Sequence, residues 1–195
     1  MNRDAWRLLK KNLFFTTEDV TGKLGITRAS AHVLCSRLVR NGALIRLKKD
    51  FYVAAERWPY LDRQDFFIIA NYLQIPSYIS CTTALVYYGL TTQEPRSWYE
   101  SVALRRSIRY SAGDAIFSYF KLKKEYYSGF TKIGPFFIAE KEKAFLDACH
   151  LSAYGRYAID LGALDMDRLD KAKLESLMAP FPQRTRSMVR GICRI

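Results

Sequence analysis

Polar and cationic side chains recur at helical spacing between residues 27 and 40 of this 195-residue chain. Arg28, His32, Ser36 and Arg40 are each four positions apart, so a helix would bring them to one face. Such a helix fits the major groove of duplex DNA, where Arg can engage guanine through two hydrogen bonds. The residues predicted to contact DNA from this helix are Thr27, Arg28, Ser30, His32, Ser36, Arg37 and Arg40. The alternative is a solvated helix face that happens to be basic.

More cations follow in a predicted β-hairpin. Residues 43–47 and 51–54 have the apolar and β-forming side chains of two strands, and Lys48-Lys49-Asp50 between them has the composition of a turn. Phosphate contacts from such a hairpin would add affinity for DNA without carrying sequence information. The residues predicted to make them are Arg46, Lys48 and Lys49.

Short helices must position this cationic face. The sequence predicts a helix from Asn2 to Lys11, and a second that begins after Thr17 as its N-cap and ends at Gly25. Thr27 is the predicted N-cap of the third helix, which Gly42 ends. One apolar stripe, expected to be buried, runs along this third helix at Ala31, Leu34, Cys35 and Leu38. Two helices joined by a short turn and followed by a hairpin predict a winged helix-turn-helix domain over residues 1–58.

Charge is concentrated in the same region. The whole chain has 31 Lys and Arg against 19 Asp and Glu, a net charge of +12. Residues 1–58 contain 12 of the basic and 5 of the acidic side chains, a net charge of +7. An excess of this size indicates a polyanionic partner.

Residues 59–195 mix helical and strand patterns. Helices are predicted over 62–74, 81–88, 140–150 and 167–179, and a final basic helix after Phe181, with strands over 101–104, 108–110, 115–122, 130–133 and 136–139. The predicted fold class is therefore α+β, with the winged helix-turn-helix followed by an α+β domain whose sheet is mainly antiparallel.

The sequence has few motifs that are typical of catalytic, phosphate-binding or metal-binding sites. The sequence contains no glycine-rich phosphate loop, no HExxH and no GxSxG. Cys35, Cys81, Cys149 and Cys193 are far apart, so no zinc-ligand spacing is present, and Cys35 and Cys149 fit buried thiols. Glu140 and Glu142 suggest a metal-dependent nuclease but equally suit the first turn of a helix. We predict a protein that is not an enzyme, with no catalytic residues, cofactor or metal.

Targeting signals are not evident either. The N-terminus lacks an apolar signal core, and no apolar stretch approaches the roughly 20 residues that span a bilayer. With cysteines that read as free thiols, the sequence predicts a cytoplasmic protein without a membrane partner.

Three segments resemble one known family. They are Arg37–Leu47, closed by Phe51-Tyr52-Val53; Pro76–Thr91; and Ile138–Asp147. In this order and spacing they resemble the AbiEi-type antitoxins, the transcriptional regulators of type IV toxin–antitoxin systems in viral-defence operons. The chain departs from that family in its short length and in Asp50, which stands where the wing turn usually has glycine.

The resemblance implies a bipartite repressor. Its winged helix would bind inverted repeats in double-stranded DNA upstream of its own operon, and its C-terminal domain would counter a nucleotidyltransferase-like toxin. The aromatic residues predicted to contact that partner are Tyr87, Tyr88, Trp98 and Tyr99, and the alternative for them is packing in the core. The alternatives are a stand-alone winged-helix regulator, a protein-interaction module without a toxin partner, and an enzyme acting on nucleic acid. The oligomeric state stays open.

Overall fold

The structure is a computed structural model that describes residues 3–93 and 95–194. This part of the chain has an α+β fold with eight α-helices, a three-stranded sheet and a six-stranded sheet. The chain forms two compact units. Unit 1 runs up to Ile69 and includes Tyr110–Ile116, and unit 2 consists of Ala70–Arg109 and the chain from Phe117 onward. The domain boundary predicted after residue 58 stays a prediction.

Unit 1 begins with three helices and a small sheet. Its elements are α1 (Arg3–Lys11), β1 (Phe15–Thr16), α2 (Thr17–Leu24), α3 (Arg28–Arg40), β2 (Leu44–Lys48) and β3 (Phe51–Ala54). The antiparallel sheet has the order β1-β3-β2, so β3 pairs on both sides. Asn2, where the first helix was predicted to begin, lies outside the described residues.

Local hydrogen bonds define both ends of α2 and the start of α3. Thr16 is the N-cap of α2, because its hydroxyl accepts from the Asp19 amide while the Asp19 carboxylate accepts from the Thr16 amide. The prediction that Thr17 caps this helix is wrong by one residue, since Thr17 is instead the first helical residue. Gly25 ends α2 at φ 63°, and the Thr27 hydroxyl accepts from the Ser30 amide, both as predicted.

The core of unit 1 forms where α3 packs against its neighbours. Ala31 and Cys35 are fully buried, and Leu34 and Leu38 pack against the same cluster, which confirms the predicted apolar stripe. The cluster is completed by Trp6, Leu9, Phe15, Val20, Leu44 and Tyr52. Because this stripe faces inward, the opposite side of α3 faces solvent.

Unit 2 is built on the six-stranded sheet. The remaining elements are α4 (Arg63–Leu73), β4 (Ser77–Ile79), α5 (Cys81–Tyr87), β5 (Trp98–Ala103), β6 (Ile108–Ala112), β7 (Ala115–Lys121), β8 (Phe130–Ile133), β9 (Phe136–Ala139), α6 (Lys141–Ala153), α7 (Lys171–Met178) and α8 (Gln183–Cys193). Of these, α4 and the β6–β7 hairpin each contribute residues to both units.

The six-stranded sheet is mixed. Its order is β6-β7-β5-β4-β9-β8, and the pairs β4–β5 and β8–β9 are antiparallel. The central pair β4–β9 is parallel, with Ile79 opposite Ile138. A parallel pair needs a long crossover connection, and the chain between Ile79 and Phe136 supplies it. The predicted α+β class is thus confirmed, and the sheet is better described as mixed than as mainly antiparallel.

A buried ion pair lies on α6. Lys143 and Asp147 are both completely buried, and the ammonium donates to the Asp147 carboxylate and to the Tyr78 hydroxyl. Tyr78 and Ser80 in turn donate to Asp147, at 3.0 and 2.8 Å. Burial lowers the pKa of Lys143 and raises that of Asp147, while each charge opposes the shift of the other.

The cysteines match one further expectation. All four cysteines are buried free thiols, as predicted for Cys35 and Cys149. None of the helices in residues 3–93 and 95–194 combines the length and apolar composition that a bilayer crossing requires.

Candidate nucleic-acid interface

The solvent-facing side of α3 carries the cationic residues. The Arg28 side chain is 67% exposed, and Arg37 and Arg40 are also exposed. Val33 lies between Arg28 and Arg37 in the chain, and 68% of its surface is exposed. Exposed cations beside an apolar side chain suit the major groove, since a thymine methyl group can meet an apolar side chain.

The hydroxyl residues at the start of α3 have a structural role as well. Thr27 and Ser30 are exposed, but the Thr27 hydroxyl caps the helix and also donates to the Ser30 hydroxyl at 2.9 Å. His32 and Ser36 are half-buried. All seven predicted residues thus lie on α3 or at its cap, and the three arginines are the most accessible charges among them.

Asp50 connects the hairpin turn to both preceding helices. It adopts φ 61°, a left-handed conformation that Asp tolerates better than most residues. Its backbone carbonyl accepts from the Thr17 amide at 3.3 Å, and its carboxylate accepts from the Thr17 hydroxyl at 3.2 Å. The turn is therefore fastened to the N-terminus of α2, where a negative charge is favourable.

The same carboxylate faces α3. Asp50 Oδ1 lies 3.2 Å from His32 Nδ1, and Oδ2 lies 3.9 Å from Arg28 Nη2. Asp50 therefore draws two of the candidate base-contacting side chains toward the hairpin. Sequence reasoning treated Asp50 only as a turn residue, because its contacts lie 18 to 33 positions away in the chain.

Two cations of the hairpin lie near aromatic rings. The Arg46 guanidinium lies 6.0 Å from the Tyr52 ring centre, and the Lys48 ammonium lies 5.2 Å from that of Phe51. Lys49 is exposed at the turn. Phe51 and Tyr52 are buried residues of β3, so the charged groups of Lys48 and Arg46 lie near rings that the fold holds in place.

The four aromatic residues predicted to contact a partner lie in unit 2 and are half-buried. Tyr87 makes edge contacts with Tyr88 and with Phe136, and Tyr99 stacks on Phe117. The Arg109 guanidinium lies 4.6 Å from the Trp98 ring centre. Each ring thus combines a packing contact with a remaining solvent-facing area.

The two carboxylates of the nuclease alternative have structural partners. Glu140 is the N-cap residue of α6 and lies 3.2 Å from the Lys173 ammonium. Glu142 is fully buried, accepts from the Asp170 amide at 3.2 Å and lies 3.5 Å from the same ammonium. No group of three or more His, Cys, Asp or Glu side chains within the described ranges has the arrangement of a metal site.

Comparison with known proteins shows that this fold also occurs in a solved structure. Neither the known protein families nor the curated proteins contain a match to this chain. Among solved structures, the chain is similar to the Rv2827c protein from Mycobacterium tuberculosis, with a TM-score of 0.65 and 14% identity. The similarity covers 98% of this chain and 75% of the Rv2827c chain, so the two share the fold over nearly all of the residues described here.

Proposed function

We propose that the chain binds double-stranded DNA in a sequence-specific manner through unit 1. In this proposal α2 and α3 form a helix-turn-helix, β2 and β3 form its wing, and α3 enters the major groove. The observation that carries the proposal is the exposed cationic side of α3 beside a basic hairpin, opposite an apolar stripe that packs into the core.

The six predicted arginines and lysines have different roles in this arrangement. Arg28, at the first turn of α3, is the candidate for a bidentate contact with guanine, because the N-terminal part of a recognition helix approaches base edges. Arg37 and Arg40 lie further along the helix and would contact phosphates. The cations of the hairpin, Arg46, Lys48 and Lys49, would add phosphate contacts on the flanking backbone.

We propose further that binding represses the protein's own operon, as the AbiEi resemblance implies. The operator would be an inverted repeat, so two copies of the chain would occupy it. Unit 2 would then bind a nucleotidyltransferase-like toxin, with the four half-buried aromatic residues as its anchors. Co-expression with the adjacent reading frame tests this part, and continued growth arrest despite stable expression of the chain would contradict it.

A gel-shift titration with the protein's own upstream region tests DNA recognition. Arg28→Ala is expected to cost about 1–3 kcal/mol on the operator and much less on scrambled DNA, if Arg28 reads a base. The matched control is Arg7→Ala, which removes an exposed arginine of α1 in the same unit. Equal affinity of the wild type for operator and scrambled DNA would refute sequence specificity.

The salt dependence of the same binding reports the phosphate contacts. If the unit neutralises roughly six phosphates, the logarithm of affinity should fall against the logarithm of salt concentration with a slope near −5. Lys49→Gln should reduce the magnitude of that slope by about 0.9 while leaving the preference for the operator intact. A slope close to zero would show that α3 and the hairpin do not meet a polyanion.

A further inference from the structure

Unit 2 contains a second concentration of positive charge that the proposed DNA-reading surface does not include. A surface pocket of about 270 Å³ is lined by Lys121, Leu122, Lys123, Tyr126, His150, Tyr154, Arg156 and Pro182. Three of these side chains are exposed cations, and none is acidic. The Arg184 guanidinium lies 5.2 Å from the Tyr154 ring centre at the wall of the pocket and adds a fourth positive charge nearby.

Neutral groups hold the arginine of the pocket. Arg156 Nη2 donates to the Ser107 hydroxyl at 2.9 Å, and both terminal nitrogens lie 3.4 Å from the Lys121 carbonyl. These contacts fix the guanidinium without neutralising it. A guanidinium oriented in this way retains its full charge and some of its donors for an anion.

The floor of the pocket is a histidine with one unused nitrogen. His150 is only 7% exposed, and its Nδ1 lies 2.8 Å from the Thr185 hydroxyl. When Thr185 donates to Nδ1, the ring proton is on Nε2, which has no hydrogen-bond partner in the described part of the chain. Nε2 is then a donor that an acceptor oxygen in the pocket can use.

Two further features favour an anion at this place. Pro182 lines the pocket and is also the N-cap residue of α8, and no side chain caps that helix. The first amides of a helix lack intrahelical partners and carry a partial positive charge. Burial is the main cause that lowers the pKa of His150 to about 4, and the positive charges of Lys143, Arg156 and Lys123 add to that shift.

We propose that this pocket binds a phosphate group. The lining of the pocket includes three cations, His150, and Pro182 at the start of α8, and its space is large enough for a phosphate and part of the group that carries it. The phosphate belongs either to a small free ligand or to a nucleic-acid backbone, and both present the same oxygens. The proposal is independent of DNA reading by α3.

A titration of the full chain with inorganic phosphate tests the pocket directly. The chain has two histidines, so the His150 ring signals can be followed by NMR once a His32→Gln variant has assigned them. At constant ionic strength, phosphate should shift the His150 signals saturably, and chloride should not. A His150 signal that phosphate does not move would overturn the proposal.

Paired variants separate the pocket from general positive charge. Lys121→Gln/Lys123→Gln should weaken phosphate binding at least roughly fivefold. Lys132→Gln/Lys171→Gln removes the same charge from exposed positions of unit 2 outside the pocket and should change it less than about twofold. All four lysines are exposed, so both proteins should keep the wild-type unfolding midpoint. Equal losses in the two variants would refute a specific site.

Random-sequence duplex DNA identifies the source of the phosphate. If the pocket holds a backbone phosphate, the Lys121/Lys123 variant should reduce the salt slope of DNA binding by about 0.9 for each phosphate lost, relative to the control variant. Equal slopes, together with saturable binding of inorganic phosphate, assign the pocket to a small phosphate ligand. Arg28→Ala should leave the phosphate titration unchanged, so failure of α3 to read DNA would be seen separately.

Discussion

The carboxyl group of Glu100 offers a sharp test of how burial shapes unit 2. Glu100 lies on β5 and is only 6% exposed. The Tyr157 hydroxyl donates to its Oε2 at 2.9 Å, and the backbone amides of Thr82 and Thr83 also act to lower the pKa of the carboxyl group. Burial outweighs these hydrogen bonds and raises the pKa of Glu100 from 4.5 to about 7.

This shift in the pKa of Glu100 makes the folded state less stable as the pH rises. The folded state holds the Glu100 proton up to about pH 7, whereas the unfolded chain releases it near pH 4.5. The contribution of Glu100 to stability is therefore complete below about pH 4.5 and is lost as the pH rises through about 7. A difference of one in pKa corresponds to about 1.4 kcal/mol, so the difference between 4.5 and about 7 gives a full loss of about 3 kcal/mol.

Glu100→Gln removes the titration while keeping the shape. The glutamine Oε1 can face the two amides, and its Nε2 can donate to the Tyr157 hydroxyl. The free energy of unfolding of this variant should exceed that of the wild type by up to about 3 kcal/mol at pH ~8, and the two should converge near pH ~5.

Urea unfolding at several pH values measures this difference. Glu125→Gln is the matched control, because Glu125 is an exposed glutamate of the same unit and should leave the pH profile unchanged. If Glu100→Gln were less stable than the wild type at pH ~8, the carboxylate would be stabilised by its hydrogen bonds more than burial destabilises it. The reasoning from burial would then be wrong.

The remaining predictions concern other charged groups. The wild type should lose stability as the pH falls from about 6.5 to about 4, because the folded state resists protonating the His150 ring. His150→Gln should remove this loss, and urea unfolding across that pH range measures it. Lys143→Met should cost about 3–5 kcal/mol in the free energy of urea unfolding, because it strands a buried carboxylate, and a cost below about 1 kcal/mol would contradict the pair. Asp50→Asn should raise affinity for DNA roughly two- to fivefold, since it removes the only carboxylate paired with Arg28 and His32 in the described ranges, and a gel shift showing weaker binding would contradict this.

The helices of unit 1 and their ends could largely be predicted from local patterns in the sequence. Gly25 and Thr27 set the ends of α2 and α3 through bonds within four residues, so their roles follow from the sequence alone. The apolar stripe of α3 follows from helical periodicity in the same way. The one misplaced cap, Thr17 for Thr16, arose because either threonine has the required hydroxyl and only the backbone dihedral angles decide between them.

Long-range contacts account for what the sequence did not reveal. Asp50 lies 22 positions from Arg28, and nothing in the sequence marks them as neighbours. The parallel pairing of β4 with β9 and the cations gathered around His150 likewise join segments from distant parts of the chain.

Composition, periodicity and capping residues by themselves determined the α+β class, the helices of unit 1 and the cationic face of α3. The tertiary structure decided which strands pair in parallel, that Lys143 is buried beside Asp147, and that Asp50 faces α3. The physical reason is that helices and caps are stabilised by bonds between near neighbours in the chain, whereas pairings across a fold depend on which surfaces chain topology brings together.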